Sequence, residues 1–160
     1  MFRLKKFYKQ GMMGENRKPI IVDASVVLKW VLPEEDDTNE AYELADDFFN
    51  KRISVFVPAH FHSEVANIAA RKVPLLAFSF IHQIINSELR PCQLGLELLN
   101  TAFRLMKKYP KISFYDAFYH ALAIERRGIF ITADQKYYQT VKKEGSILSL
   151  KDYSLDEIDK

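Results

Sequence analysis

The stretch Ile20-Ile21-Val22-Asp23-Ala24-Ser25 decides how the rest of the chain is read. Three β-branched residues run into an acid and then into small residues. That is the pattern of a buried parallel strand whose end delivers a carboxylate to the rim of a sheet. Val26, Val27, Leu28, Trp30 and Val31 follow and read as a helix packing back on that strand. In open α/β sheets ligands bind beyond the carboxyl ends of the strands, which puts Asp23 where chemistry is done. Asp23 or Ser25 would equally serve as the cap of the following helix. Other carboxylates decide between the two readings.

Downstream, strand and helix patterns alternate. Ala41, Leu44, Ala45, Phe48 and Phe49 recur at helical spacing, and Ile53 to Val57 reads as a second strand closed by Pro58. Phe61, Val65, Ile68 and Ala69 form one apolar stripe of a helix, with Glu64 on its border and Asn67 three residues on, on the same side. His60 and His62 stand near that helix start and read as surface or structural histidines. Pro74 opens a segment of unusual apolarity, Leu75, Leu76, Phe78, Ile81, Ile84 and Ile85, which reads as core or as a dimer face. Leu89 to Gln93 reads as a short strand that Pro91 assigns to an edge. A helix through Leu96, Leu99, Phe103, Leu105 and Met106 ends near Tyr109-Pro110.

Ser113-Phe114-Tyr115-Asp116 has the form of a capping box and opens a helix that is apolar on nearly every face through Ile124. Ile129-Phe130-Ile131-Thr132 repeats the logic of the first strand, ending in Thr132-Ala133-Asp134. Asp134 has its own cap reading, for a helix from Lys136 to Lys143. A fifth strand is expected over Ser146 to Leu150. Asp23 and Asp134 thus follow strands, while Glu64 and Asp116 lie in early turns of helices that follow loops. In a parallel sheet with right-handed crossovers, helix starts lie beside strand ends and the four acids converge. Capping explains Glu64 poorly, because glutamate is not a preferred cap. Converging carboxylates repel one another without a cation, and oxygen-only ligands suit Mg²⁺ or Mn²⁺. Such a site places water in line with a phosphorus atom, which points to phosphoester hydrolysis. No P-loop pattern is present.

Composition bounds the rest. The 160 residues point to one domain, and a hydrophobic share of 48% excludes global disorder. There are 23 basic and 21 acidic residues for a net charge of +2. With four acids screened by metal, 23 basic groups face 17 acidic ones, a balance suited to a phosphate backbone. Cys92 is the single cysteine, which excludes an internal disulfide and a thiolate zinc site and fits a cytoplasmic protein. No apolar run spans a membrane, and the basic start is not followed by a signal-peptide core. Residues 1–18 read as a flexible basic leader, in which Lys5, Lys6, Phe7, Tyr8 and Lys9 suit RNA contact. Residues 19–152 read as the folded domain and 153–160 as a polar tail.

Val22-Asp23-Ala24-Ser25, Ser63-Glu64-Val65-Ala66-Asn67, Tyr115-Asp116 through Ala123 and Thr132-Ala133-Asp134, in this order, resemble the PIN-domain family, and within it the VapC-type toxins of toxin–antitoxin pairs. The likeness covers about residues 20 to 150. It implies a three-layer α/β/α sandwich with a central parallel sheet of about five strands. It implies a Mg²⁺- or Mn²⁺-dependent endoribonuclease with Asp23, Glu64, Asp116 and Asp134 as its acidic quartet. Asp23 and Asp116 would contact metal directly or through water, while Glu64 and Asp134 would complete the site or orient the attacking water. Ser25 and Thr132 would hydrogen-bond within the site, and Asn67 would support Glu64. A homodimer, a VapB-like antitoxin whose tail blocks the acidic cleft, and structured RNA targets such as transfer RNA are further implications. Two alternatives stay open. One is a receiver-like phosphoacceptor module, whose required lysine has only Lys142 and Lys143 as candidates. The other is a PIN-like RNA-binding module without turnover.

Overall fold

A computed structural model describes residues 17–32 and 36–160. The leader as far as residue 16, and Pro33, Glu34 and Glu35 of the acidic loop, lie outside the described residues. The elements are β1 (Ile20–Val22), α1 (Ala24–Leu28), α2 (Thr38–Phe49), β2 (Val55–Pro58), α3 (Phe61–Lys72), α4 (Pro74–Ile85), β3 (Arg90–Cys92), α5 (Leu96–Lys108), α6 (Phe114–Glu125), β4 (Ile129–Thr132), α7 (Gln135–Val141), β5 (Ile147–Ser149) and α8 (Leu155–Asp159).

The strands form one sheet in the order β3-β2-β1-β4-β5, and every pairing is parallel. β1 is central, and Ile20, Ile21 and Val22 are all fully buried, as a continuous apolar strand covered on both faces requires. Pro91 sits in the edge strand β3, where its missing N–H costs no ladder bond. Helix α6 lies across β2, β1 and β4 with α5 packed on it, and α1 packs on α3. Right-handed crossovers put these two groups on opposite faces, giving the expected three layers. The strand order reverses between β1, which leads to β2, and β4, which is reached only by the long crossover from β3. Ligands bind at such a switch point.

This order also overturns the receiver-like alternative. A receiver's sheet runs 2-1-3-4-5, with the first strand beside the third, whereas here β1 lies between β2 and β4.

Two local features hold the frame. Gly128 joins α6 to β4, its N–H donating to Ala123 O at 2.8 Å while the next N–H, of Ile129, reaches Pro19 O at 2.9 Å. A Cβ at residue 128 would stand 2.2 Å from Pro19 O, so the approach of α6's exit to β1 admits only glycine. At the other end, residues 153–160 are polar in composition but do not form a loose tail. Ile158 is fully buried, and the buried Tyr153 hydroxyl donates to Asp47 Oδ2 at 2.8 Å. Asp47, itself buried, also accepts from Arg52 Nε at 2.5 Å, and Arg17 pairs with Asp159 at 3.1 Å. One apolar residue per turn suffices to dock so short a helix, a signal too small to stand out from the surrounding charge.

Helix α1 stops at Leu28 rather than continuing through Val31, its carbonyls turning back to Lys29, Trp30 and Val31 in a tighter turn. Trp30 remains buried and donates its indole N–H to Ala41 O at 2.9 Å.

Candidate active site

Asp23 is the first residue beyond β1 and has extended backbone (φ −83°, ψ 168°), so it ends the strand and caps α1 at once. Its Oδ1 accepts from Val26 N at 3.1 Å and from the Ser25 hydroxyl. Its Oδ2 accepts from Thr132 Oγ1 at 2.5 Å. Thr132 ends β4, the neighbour of β1, so strand pairing itself sets this bond. The same Thr132 oxygen accepts from Asp134 N at 3.0 Å. Thr132 therefore links the two acids that follow the two central strands.

Asp134 caps α7, accepting from Tyr137 N at 2.9 Å. Asp116 forms a reciprocal pair with the cap of α6: Ser113 Oγ accepts from Asp116 N at 3.1 Å and donates to Asp116 Oδ2 at 2.6 Å. Because α6 runs into β4 through Gly128, its first turn lies at the carboxyl end of the sheet, the end that also holds Asp23. Glu64 lies in the first turn of α3, which leaves β2 at that same end. Its Oε2 accepts from the Tyr119 hydroxyl at 2.7 Å. Capping therefore does not exclude an acid site. Glu64, Asp116 and Asp134 each keep one carboxylate oxygen outside these bonds.

Electrostatics divide the acids into two pairs. Burial pushes the Asp23 carboxyl up to about 6; hydrogen bonds from Ser25, Thr132 and Val26 oppose this, and the Glu64 charge adds to it. Burial also raises the Tyr119 phenol, with the charges of Glu64 and Asp23 next to it. Tyr137 is raised by burial and by the charges of Asp116 and Asp134, among others. The charges of Glu64 and Asp23 thus both act on Tyr119, and those of Asp116, Asp134 and Glu144 on Tyr137. Among the described residues no three His, Cys, Asp or Glu side chains form a ready cage for a metal ion. A Mg²⁺ site needs only one or two carboxylates, the rest being water and substrate oxygen. Asp23 and Glu64 fit that demand. They are oxygen donors at the switch point, and Asp23 is a part-buried carboxyl whose charged form desolvation disfavours. A separate hollow lined by Lys18, Arg127, Ser146 and Glu157 opens at the opposite end of β4 and β5 and contains none of these acids.

Two contributors were not legible in the motifs. Tyr119, rather than the exposed Asn67, holds Glu64. The fully buried His120 donates through Nε2 to Gly145 O at 2.8 Å, which leaves Nδ1 to accept from the Tyr137 hydroxyl at 3.2 Å. This bond ties α6, which carries Asp116, to α7, which Asp134 caps. The signal was present: a phenol and an imidazole inside an otherwise apolar helix need polar partners. As a check on the anchor, Tyr119→Phe is expected to raise the Mn²⁺ concentration for half-maximal activity about tenfold, as loss of a ligand's supporting bond does. Circular dichroism should show an unchanged fold.

The sequence matches the PIN domain family over residues 20–143. The chain belongs to the PIN domain family. No curated protein matches it significantly. Among solved structures it is similar to a toxin–antitoxin complex from Klebsiella pneumoniae, at TM-score 0.61 and 14% identity over 82% of this chain and 97% of that one. It is similar to VapBC2 from Rickettsia felis bound to a promoter DNA fragment, at TM-score 0.59 and 12% identity over 82% and 96%. It is also similar to the sarcin–ricin loop cleaving toxin VapC20 from Mycobacterium tuberculosis, at TM-score 0.56 and 15% identity over 71% and 87%. At such identities the likeness speaks for the fold.

Proposed function

We propose that this PIN-domain protein is a Mg²⁺- or Mn²⁺-dependent endoribonuclease and the toxin of a type II, VapBC-like toxin–antitoxin pair. The observation that carries the reading is the placement of Asp23 at the switch point, held by Ser25 and Thr132 and within reach of the Glu64 charge. Asp23 and Glu64, with Asp116 in the adjoining pair, are the residues to hold the ion. A bound divalent ion supplies an acidified water and charge stabilisation at a phosphoryl group. Thr132 and Ser25 keep both oxygens of Asp23 oriented. Tyr119 keeps Glu64 extended towards Asp23, and Asp134 completes the site beside Asp116 and orients the attacking water. The excess of basic over remaining acidic groups favours an RNA backbone.

The test is direct. Purified chain should cleave RNA with Mn²⁺ or Mg²⁺ and stop on addition of EDTA. RNA binding without any cleavage would instead support the non-catalytic PIN-like reading, and cleavage indifferent to EDTA would sink the metal-dependent one.

Exposed apolar surface supports the partner reading. Only Ile84 of α4 is buried, whereas Leu75 and Phe78 are 97% and 85% exposed. An isolated soluble domain does not leave such rings and side chains in water without a partner surface. The likeness to toxin–antitoxin complexes favours a VapB-like antitoxin, and the exposed face of α4 favours a homodimer. Light scattering should give twice the mass of the 160-residue chain. Leu75→Lys with Phe78→Lys should reduce it to a monomer, and an unchanged mass would exclude α4 from the dimer contact. Among the described residues no helix is long and apolar enough to cross a membrane.

A further inference from the structure

The surface beside the acids carries aromatic rings that the reaction itself does not use. Tyr115 immediately precedes Asp116 in the first turn of α6 and is 59% exposed. Its ring centroid lies 5.1 Å from that of His60, the residue before α3. His60 in turn stacks on Phe118 at 5.5 Å and meets Tyr119 edge-on at 5.5 Å. Phe114 stacks on Phe118 from behind at 5.8 Å. His60 Nε2 is buried without a hydrogen-bond partner, 3.9 Å from Glu64 Oε2. An unsatisfied imidazole nitrogen is costly where a phenyl ring would pack as well.

We infer that Tyr115, backed by His60, is a stacking shelf for an unpaired nucleobase next to the scissile phosphate. The inference deepens the nuclease reading and rests on it. The shelf reaches the site through His60, which contacts the Tyr115 ring and lies 3.9 Å from Glu64 Oε2. A phosphate drawn to the acids carries a base on either side, and base–aromatic stacking is tolerant of sequence because every base has a π-face. Tyr115 is also prepared for this. Its ring already leans on His60 and on Phe114, 6.1 Å away, so little motion is lost when a base settles on its open face.

The experiment compares steady-state cleavage of a short unstructured RNA by the wild-type chain, Tyr115→Ala and Tyr115→Phe in Mn²⁺. A matched RNA carries one abasic ribose beside the cleaved bond, placed on each side in turn. Tyr115→Ala should raise KM about tenfold with kcat nearly unchanged, and Tyr115→Phe should restore it. For one placement, the abasic RNA should suffer the same loss with the wild-type chain and no further loss with Tyr115→Ala. An unchanged KM in Tyr115→Ala, or equal abasic penalties in both proteins, overturns the shelf and leaves the nuclease standing. A change in solution mass of Tyr115→Ala with unchanged KM overturns it too, assigning the ring to a protein interface. If the wild-type chain cuts no RNA, the nuclease reading fails and the shelf falls with it.

Discussion

Asp23→Asn is expected to lower RNA cleavage by about a thousandfold, the scale on which one charge-stabilising group at an active site matters. In the absence of divalent metal it should also make the protein more stable. Both effects come from one carboxyl. Folding lifts its pKa from 3.8 to about 6. A group raised in the folded state favours folding fully below its unfolded pKa, and that contribution is lost as pH rises through the folded value. Metal-free wild-type protein should therefore be less stable at pH 7.5 than at pH 5 as far as this group is concerned. Two pKa units correspond to about 3 kcal/mol across the whole titration. About half of this falls between pH 5 and 7.5, because pH 5 already lies above the unfolded value of 3.8, or roughly 3–6 °C in Tm for a chain of this size.

Asparagine removes the titration while keeping the shape. Its Oδ1 still accepts from Val26 N and Ser25, and its amide faces the Thr132 oxygen. Thermal denaturation from pH 5 to 8 checks the prediction. The wild-type slope should flatten in Asp23→Asn, and Mn²⁺ should stabilise the wild-type chain but not the variant. A variant that is inactive and also unfolded at pH 7.5 would show Asp23 to be needed for the fold alone.

Gly128→Ala is expected to lower stability measurably although it adds only one methyl group and lies outside the site. The added carbon would stand 2.2 Å from Pro19 O and 3.0 Å from Pro19 C, backbone atoms with nowhere to move. Relief requires α6 to shift against β1. Overpacking of this kind costs about 1–3 kcal/mol and occasionally more, so a fall of roughly 5–10 °C in Tm is expected. Helix α6 carries Asp116 and Tyr119, and β4 carries Thr132. The substitution should therefore weaken Mn²⁺ binding along with the fold, which calorimetric titration below the melting range would reveal. A fall in Tm with unchanged Mn²⁺ affinity would mean that the strain is absorbed away from the acids.

The sheet was readable because its strands are buried on both faces and so appear as unbroken apolar runs. Ile20–Val22 and Ile129–Thr132 needed no other signal, and Pro91 identified the edge strand through its missing donor. The order of strands was not readable in the same way, since periodicity does not say which strand lies beside β1. Only the topology removed the receiver-like alternative. Within the site, Asp23, Ser25 and Thr132 came from local pattern. Their joining did not, because the Asp23–Thr132 bond spans residues far apart in the chain. Tyr119 and His120 were hidden for a different reason. In a helix apolar on nearly every face they pass for bulk, and their polar atoms acquire meaning only once Glu64 and Tyr137 are opposite them. The docking of residues 153–160 turns on Tyr153 reaching Asp47, a contact with no local sequence signature.

The arrangement of Asp23 and Glu64 about Tyr119 as a divalent-ion site is the claim on which the functional reading rests. Anomalous scattering from crystals soaked in Mn²⁺ near pH 7.5 tests it most directly. The account predicts a manganese peak within coordinating distance of Asp23 and close to Glu64. A fully soaked crystal with no peak there, or with manganese bound only at a different face of the protein, would contradict it.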